Sequence, residues 1–167
     1  WKVVMPSTPL DAYGLMLAAI EDPNPVLFLK PKALLRVRGQ ELIPGEPSQE
    51  SDLKAMIDAP LGDRTKWKAR WPDLQYYKVE IGKARKVCEG DRATIVTFGR
   101  QTLMCEAIAK ELAAQEQIFL DVIDLRSLYP YDWQTVKESV RRTGRVLFVN
   151  EDTEVTNFGE HLAYRTT

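Results

Sequence analysis

Apolar and polar positions along the chain switch between two periods, and the clearest switch falls within residues 93–132. Ala93–Phe98 is a short apolar run rich in β-branched residues, closed by Gly99, and it predicts a buried strand. Gln101–Ala114 follows helical spacing, with Met104, Ile108 and Leu112 four apart on the face expected to meet a core. The polar stretch Gln115–Gln117 closes that helix, and Phe119–Leu125 predicts a second strand. A helix of this length can cross back over a sheet, so the two strands are expected to be parallel and the crossover right-handed.

The pattern recurs on either side. Val3–Met5 predicts a strand, and Ser7 or Thr8 is placed to cap a helix over Leu10–Ile20, with Pro9 in its first turn. Leu10, Tyr13, Leu17 and Ile20 mark one face of it, and Gly14 allows close packing. Glu21-Asp22-Pro23-Asn24-Pro25 stops that helix, and Val26–Leu29 predicts the next strand. Further on, Ser127–Asp132 reads as a loop and Asp132 as the N-cap of a helix over Trp133–Thr143, with Val136 and Val140 on its core face. Gly144 suits the residue after that helix, Arg145–Val149 a strand, Asn150–Asn157 a polar loop, and Phe158–Tyr164 the start of a last helix.

Between these units lies Lys30–Gly90, with Pro31, Pro44, Pro47, Pro60, Pro72 and many charges. Its only regular patches are a short helix around Asp52–Ile57 and a strand-like Tyr76–Ile81. Trp67 and Trp71 predict that it lies pinned along a surface. The expected fold is α/β: a doubly wound, mostly parallel sheet with helices on both faces, preceded by a partial second α/β domain.

Composition narrows the function classes. A formal net charge of −1 offers no basic surface, so no nucleic-acid partner is expected. No apolar run approaches the roughly 20 residues of a membrane helix, and no membrane partner is expected. Cys88 and Cys105 lack metal or redox spacing and read as reduced thiols. The chain opens at Trp1 inside what reads as a fold, so a piece of a longer polypeptide is expected.

Ligands of such sheets gather at the carboxyl ends of strands. Gly99-Arg100 reads as a tight β–α turn with a surface arginine, ahead of anion binding. Asp124 and Arg126 read as a structural ion pair or loop anchor, and Glu151-Asp152 beside Asn150 as capping or solvated groups ahead of an acid–base pair. His161 reads as a surface or interface residue. The stretch Ala19-Ile20-Glu21-Asp22-Pro23-Asn24 places unpartnered helix-end carbonyls beside side-chain oxygens. That donor chemistry suits a hard cation of low charge, although an ordinary helix stop explains the same residues.

The segment MPSTPLDAYGLMLAAIEDPNPVLFLKPKALLR resembles the end of the pyrimidine-binding domain in β subunits of thiamine-diphosphate-dependent 2-oxo acid dehydrogenases, the decarboxylating component of the pyruvate and branched-chain complexes. YYKVEIGKARKVCEGDRATIVTFGR, VIDLRSLYPYD and ESVRRTGRVLFVNED resemble the transketolase-type C-terminal domain that follows it. The resemblance implies that residues 1–36 are the end of a pyrimidine-binding-type domain, 37–75 an extended linker or insert, and 76–167 a truncated transketolase-like C-terminal domain. The resemblance implies oxidative decarboxylation of a 2-oxo acid, with the acyl group passed to lipoamide. Implied partners are an α subunit or fused α region, a second β copy and a dihydrolipoyl acyltransferase core. It implies a structural potassium ion held by main-chain oxygens of Ala19 and Ile20 with contacts from Asp22 and Asn24. Thiamine diphosphate and magnesium are expected to be bound outside this chain, and no catalytic residue is expected within it. Subunit assembly and docking, rather than chemistry, are its expected tasks. The implied compartment is the bacterial cytoplasm or the mitochondrial matrix. The loop NEDTEVTNFGE departs from the family, which often has His at Asn150 and a TGG-type turn near 155–157; the long segment before Tyr76 suggests a fused α–β polypeptide. Transketolase, deoxyxylulose phosphate synthase and a non-catalytic α/β interaction module are the alternatives.

Overall fold

In the computed structural model, which describes residues 1–166, the elements run β1 (Lys2–Val4), α1 (Pro9–Glu21), β2 (Val26–Phe28), α2 (Glu50–Ile57), β3 (Arg85–Cys88) and β4 (Thr94–Thr97). They continue with α3 (Arg100–Glu116), β5 (Asp121–Asp124), β6 (Ser127–Tyr129), α4 (Trp133–Thr143), β7 (Val146–Val149) and α5 (Phe158–Thr166). The strands form two sheets, ordered β2-β1-β6 and β3-β5-β4-β7.

The larger sheet is the expected doubly wound one. β4 pairs in parallel with β5 and with β7, Ile95 standing between Val122 and Leu147. Successive strand residues point to opposite faces, so the sheet carries two cores. On one face Val96 and Ile123 pack with Val136 of α4 and Leu162 of α5. On the other, Ile95 and Val122 pack with Cys105 and Ala109 of α3. Asp132 caps α4 by accepting from the Thr135 N–H at 3.2 Å, and Gly144 closes it in the left-handed region at φ 67°. Both follow the sequence pattern.

Four expectations shift. Met104 and Ile108 are half-exposed, and α3 buries Thr102, Cys105 and Ala109 instead. α1 likewise buries Asp11, Gly14, Leu15 and Ala18, leaving Ile20 exposed. Apart from Leu15, the residues that these two helices bury are small or polar, which lets the backbones approach closely. A Cβ on Gly14 would stand 2.6 Å from Val79 Cγ2. Tyr76–Ile81 is extended but pairs with no strand; Tyr77, Val79 and Ile81 alternate inward onto α1, and the Val79 N–H donates to the Gly14 carbonyl at 3.2 Å. β3, whose sequence Arg-Lys-Val-Cys hides an apolar period, runs antiparallel to β5 at the sheet edge. The fourth shift is β6, where a loop was the natural reading. β1 offers a free edge beside it, and the Met5 N–H donates to the Arg126 carbonyl at 2.8 Å just before the pairing begins.

The long connection is only partly tethered. Gln75 donates its N–H to the Pro44 carbonyl at 2.8 Å, and Tyr76 and Lys78 both bind the Glu21 carboxylate. Trp71 is 76% exposed and Trp67 37%, so the tryptophans are not what pins this segment to the rest of the chain.

Candidate functional site

Four charged side chains meet where the first sheet abuts the second, and each is positioned by a different element. Thr8 caps α1, its Oγ1 accepting from the Asp11 N–H at 3.1 Å. That cap turns Asp11 inward, where its side chain is 3% exposed. Arg126 follows β5 with φ 55°, a left-handed turn that reverses the chain from β5 into β6. Its N–H donates to Asp124 Oδ1 at 3.2 Å, and its guanidinium donates to Asp11 Oδ1 at 2.8 Å and to the Lys83 and Ala84 carbonyls at 3.2 and 3.3 Å. Arg85, at the start of β3, stands directly across from Asp124, at the end of β5. Its Nη2 lies 3.6 Å from both Asp11 Oδ2 and Asp124 Oδ2.

The expected Asp124–Arg126 pairing is thus a backbone loop anchor, and the guanidinium pairs instead with Asp11, 115 residues away in sequence. A buried ion pair with good hydrogen bonds repays its desolvation, whereas removing one partner typically costs about 3–5 kcal/mol. Asp124 is fully buried, and burial first, then the charge of Asp11, pushes its carboxyl up to about 7 against the pull of Arg85. A second buried carboxylate, Asp121 at the opposite end of β5, receives Ser139 and Arg142 from α4, and Thr94 joins Ser139 at 2.6 Å. These contacts lock α4 to the sheet.

The other sequence candidates fall elsewhere. Gly99 turns at φ 63°, and a Cβ there would meet Met5 Sδ at 2.7 Å, so it makes a tight turn. Arg100 and Glu151 form an exposed pair at 3.9 Å, and Asp152 accepts from the Thr153 N–H. His161 Nε2 is 3.0 Å from the Tyr131 hydroxyl, and its ring stacks on Phe158 at the surface. Among the described residues no three His, Cys, Asp or Glu side chains are grouped to hold a metal ion.

At the end of α1, Asp22 binds the Lys2 ammonium through Oδ2, while Oδ1 accepts from the Asn24 N–H and side-chain amide at 3.0 and 3.1 Å. Lys2 first, then Asn24, pull its carboxyl down to about 2, so it stays charged. Pro23 and Pro25 have no N–H to offer the carbonyls of Ala19 and Glu21, and the Asn24 N–H that would meet Ile20 turns to Asp22 instead. The main-chain half of the expected oxygen set is therefore open, and its carboxylate half is already held by Lys2.

Comparison with known proteins places this architecture. A family model described as the transketolase C-terminal domain matches residues 82–167, and the chain belongs to that family. Its similarity extends over nearly the whole chain to β subunits of 2-oxo acid dehydrogenases. It is 35% identical over 161 residues to the 2-oxoisovalerate dehydrogenase subunit beta of Pseudomonas aeruginosa, covering 96% of this chain and 41% of that one. It is 37% identical over 150 residues to the pyruvate dehydrogenase E1 component subunit beta of Acholeplasma laidlawii, covering 90% and 36%. The Bacillus subtilis 2-oxoisovalerate dehydrogenase subunit beta is 36% identical over 156 residues, covering 92% and 37%. The chain therefore spans about two fifths of the length of these relatives. A split-gene transketolase, solved as an inactive β4 tetramer, shares the fold with a TM-score of 0.65 at 24% identity, over 98% of this chain and 43% of that one.

Asp124 gives a pH signature. Its folded-state value lies above the ordinary 3.8, so the unfolded chain releases this proton first as pH rises. Its contribution is full below about pH 4, falls between about 4 and 7, and is flat above. Asp124→Asn should therefore gain stability relative to the parent between pH 5 and pH 8 by on the order of 3 kcal/mol, read by urea unfolding at each pH. Parallel pH profiles for the two proteins would contradict the assignment.

Proposed function

We propose that this chain is the C-terminal part of the β-type portion of a thiamine-diphosphate-dependent 2-oxo acid dehydrogenase. That component oxidatively decarboxylates a 2-oxo acid and passes the acyl group to lipoamide. The observation that supports this reading is the single collinear similarity to β subunits, running across both sheets and the Asp11–Arg126 pair between them. Its role is assembly: it presents one face to an α subunit or fused α region, another to a second β copy, and docks the dihydrolipoyl acyltransferase core. The compartment is the cytoplasm of a bacterium or the mitochondrial matrix of a eukaryote.

Thiamine diphosphate, when bound, supplies the carbanion chemistry of this enzyme class, and the protein supplies binding and orientation. Its magnesium is held outside this chain in this reading, in keeping with the lack of any group of three His, Cys, Asp or Glu side chains among the described residues. What they do is hold the two sheets in fixed register. Calorimetric titration of the chain with thiamine diphosphate and magnesium should give no binding heat. One-to-one binding would overturn this division of labour and move the cofactor site into the chain.

Potassium fits in part. Ala19 and Ile20 would hold it through main-chain oxygens, with Asp22 and Asn24 alongside; Lys2 already neutralises the Asp22 carboxylate, which favours a singly charged ion over a divalent one. The melting temperature should be higher in potassium chloride than in lithium chloride at equal ionic strength. Equal melting temperatures would remove the site.

A further inference from the structure

Apart from the ion cluster and the helix end, the chain holds a cavity of about 720 Å³. Four stretches of chain that are distant in sequence wall it: the start of α1 with Pro9, the connection after β2 with Leu34, β3 with Arg85, and α3 with Leu103. Gly39 fits against Pro9, where a Cβ would stand 3.1 Å from Pro9 Cδ, so the connection is seated on α1 over the cavity. The volume falls within the range of small-molecule sites, which favour such junctions and pair apolar walls with a few polar groups.

The charges in its lining are unbalanced. Lys30, Arg38, Arg85, Lys86 and Lys110 face two acids, Glu41 and Glu106. Lys110 is paired with Glu106 at 2.6 Å. Arg38 is paired with Glu50, which leaves Arg85 as the guanidinium of the lining whose donors are least used. Its side chain is 23% exposed, its Nε is buried without a partner, and it donates no hydrogen bond among the described residues. Its three carboxylate neighbours, Asp11, Asp124 and Glu41, lie at 3.6, 3.6 and 3.7 Å, beyond hydrogen-bond distance. Asp11 gives its short contact to Arg126. Nε is buried and Nη2 stands between Asp11 and Asp124, so Nη1, with the exposed Glu41 at 3.7 Å, is the donor of this guanidinium that can receive a carboxylate.

We propose that this cavity binds a small amphipathic carboxylate, its apolar body against Pro9, Leu34 and Leu103 and its carboxylate on the Arg85 guanidinium. The site lies at the junction that fixes the two sheets, so an occupant bridges both. This proposal is independent of the family reading above: it needs no cofactor and no partner chain.

The probe is 4-phenylbutyrate, which joins an aromatic ring to a carboxylate, titrated into the chain by calorimetry beside its methyl ester and inorganic phosphate. Saturable one-to-one binding is expected, weakened about tenfold in the ester, which loses the charge-assisted contact. Phosphate alone, lacking the apolar body, should bind at least as weakly. Arg85→Lys keeps the charge and loses the fork, and should weaken binding about tenfold. Should that variant fail to fold, Leu34→Glu at the partly exposed wall places a like charge beside the ligand and should abolish binding while circular dichroism stays unchanged. No saturation at millimolar phenylbutyrate, equal binding of acid and ester, or undiminished binding to folded Leu34→Glu would each overturn the proposal.

Discussion

The contact between Asp11 and Arg126 is the constraint on which the arrangement depends. Both side chains are fixed in place: Asp11 is buried in the first turn of α1, and Arg126 is held by a left-handed turn between two strands that belong to different sheets. Because β5 ends in one sheet and β6 begins in the other, the chain must change direction sharply within the two residues Leu125 and Arg126. The Asp124 carboxylate secures that change by accepting the Arg126 N–H, and the Arg126 carbonyl secures the next step by accepting from Met5. One residue thus serves the turn, the edge of the first sheet and the ion pair at once. An interior of low dielectric makes such a group valuable when paired and costly when not.

Much of this was legible in the sequence, and the limits have physical causes. The strands β4, β5 and β7 and the helices α3 and α4 announce themselves because each carries a local period and a local stop signal, such as Gly99, Asp132 or Gly144. β3 and β6 carry no such signal. They are edge strands, half-exposed or short, and exist because a neighbour presents a free edge. The core faces of α1 and α3 were misjudged for a related reason. Met104 and Ile108 outrank Cys105 and Ala109 in hydrophobicity, but small residues let a helix lie close on a sheet, and closeness decides which face is buried.

The ion cluster was half legible. Asp124 and Arg126 drew notice by their spacing, whereas Asp11 has the local signature of an acid in the first turn of a capped helix and Arg85 that of a surface charge on a polar stretch. The spacing of Asp11, Gly14 and Ala18 on one helix face is the signal that would have placed Asp11 inward. Nothing local identifies its partner 115 residues on. The same junction leaves the Arg85 Nε buried without a partner beside the cavity between α1 and α3.

The measurement that tests this account most directly is a double-mutant cycle on the joint, with Asp11→Asn, Arg126→Met and both together compared by urea unfolding at pH 8. Each single change should cost about 3–5 kcal/mol, since it leaves a buried charge unpaired. The double variant should recover about 2 kcal/mol of the sum, the sign of direct coupling. Costs that simply add, within about 0.5 kcal/mol, would show that the two side chains act independently and that the sheets are joined by something else.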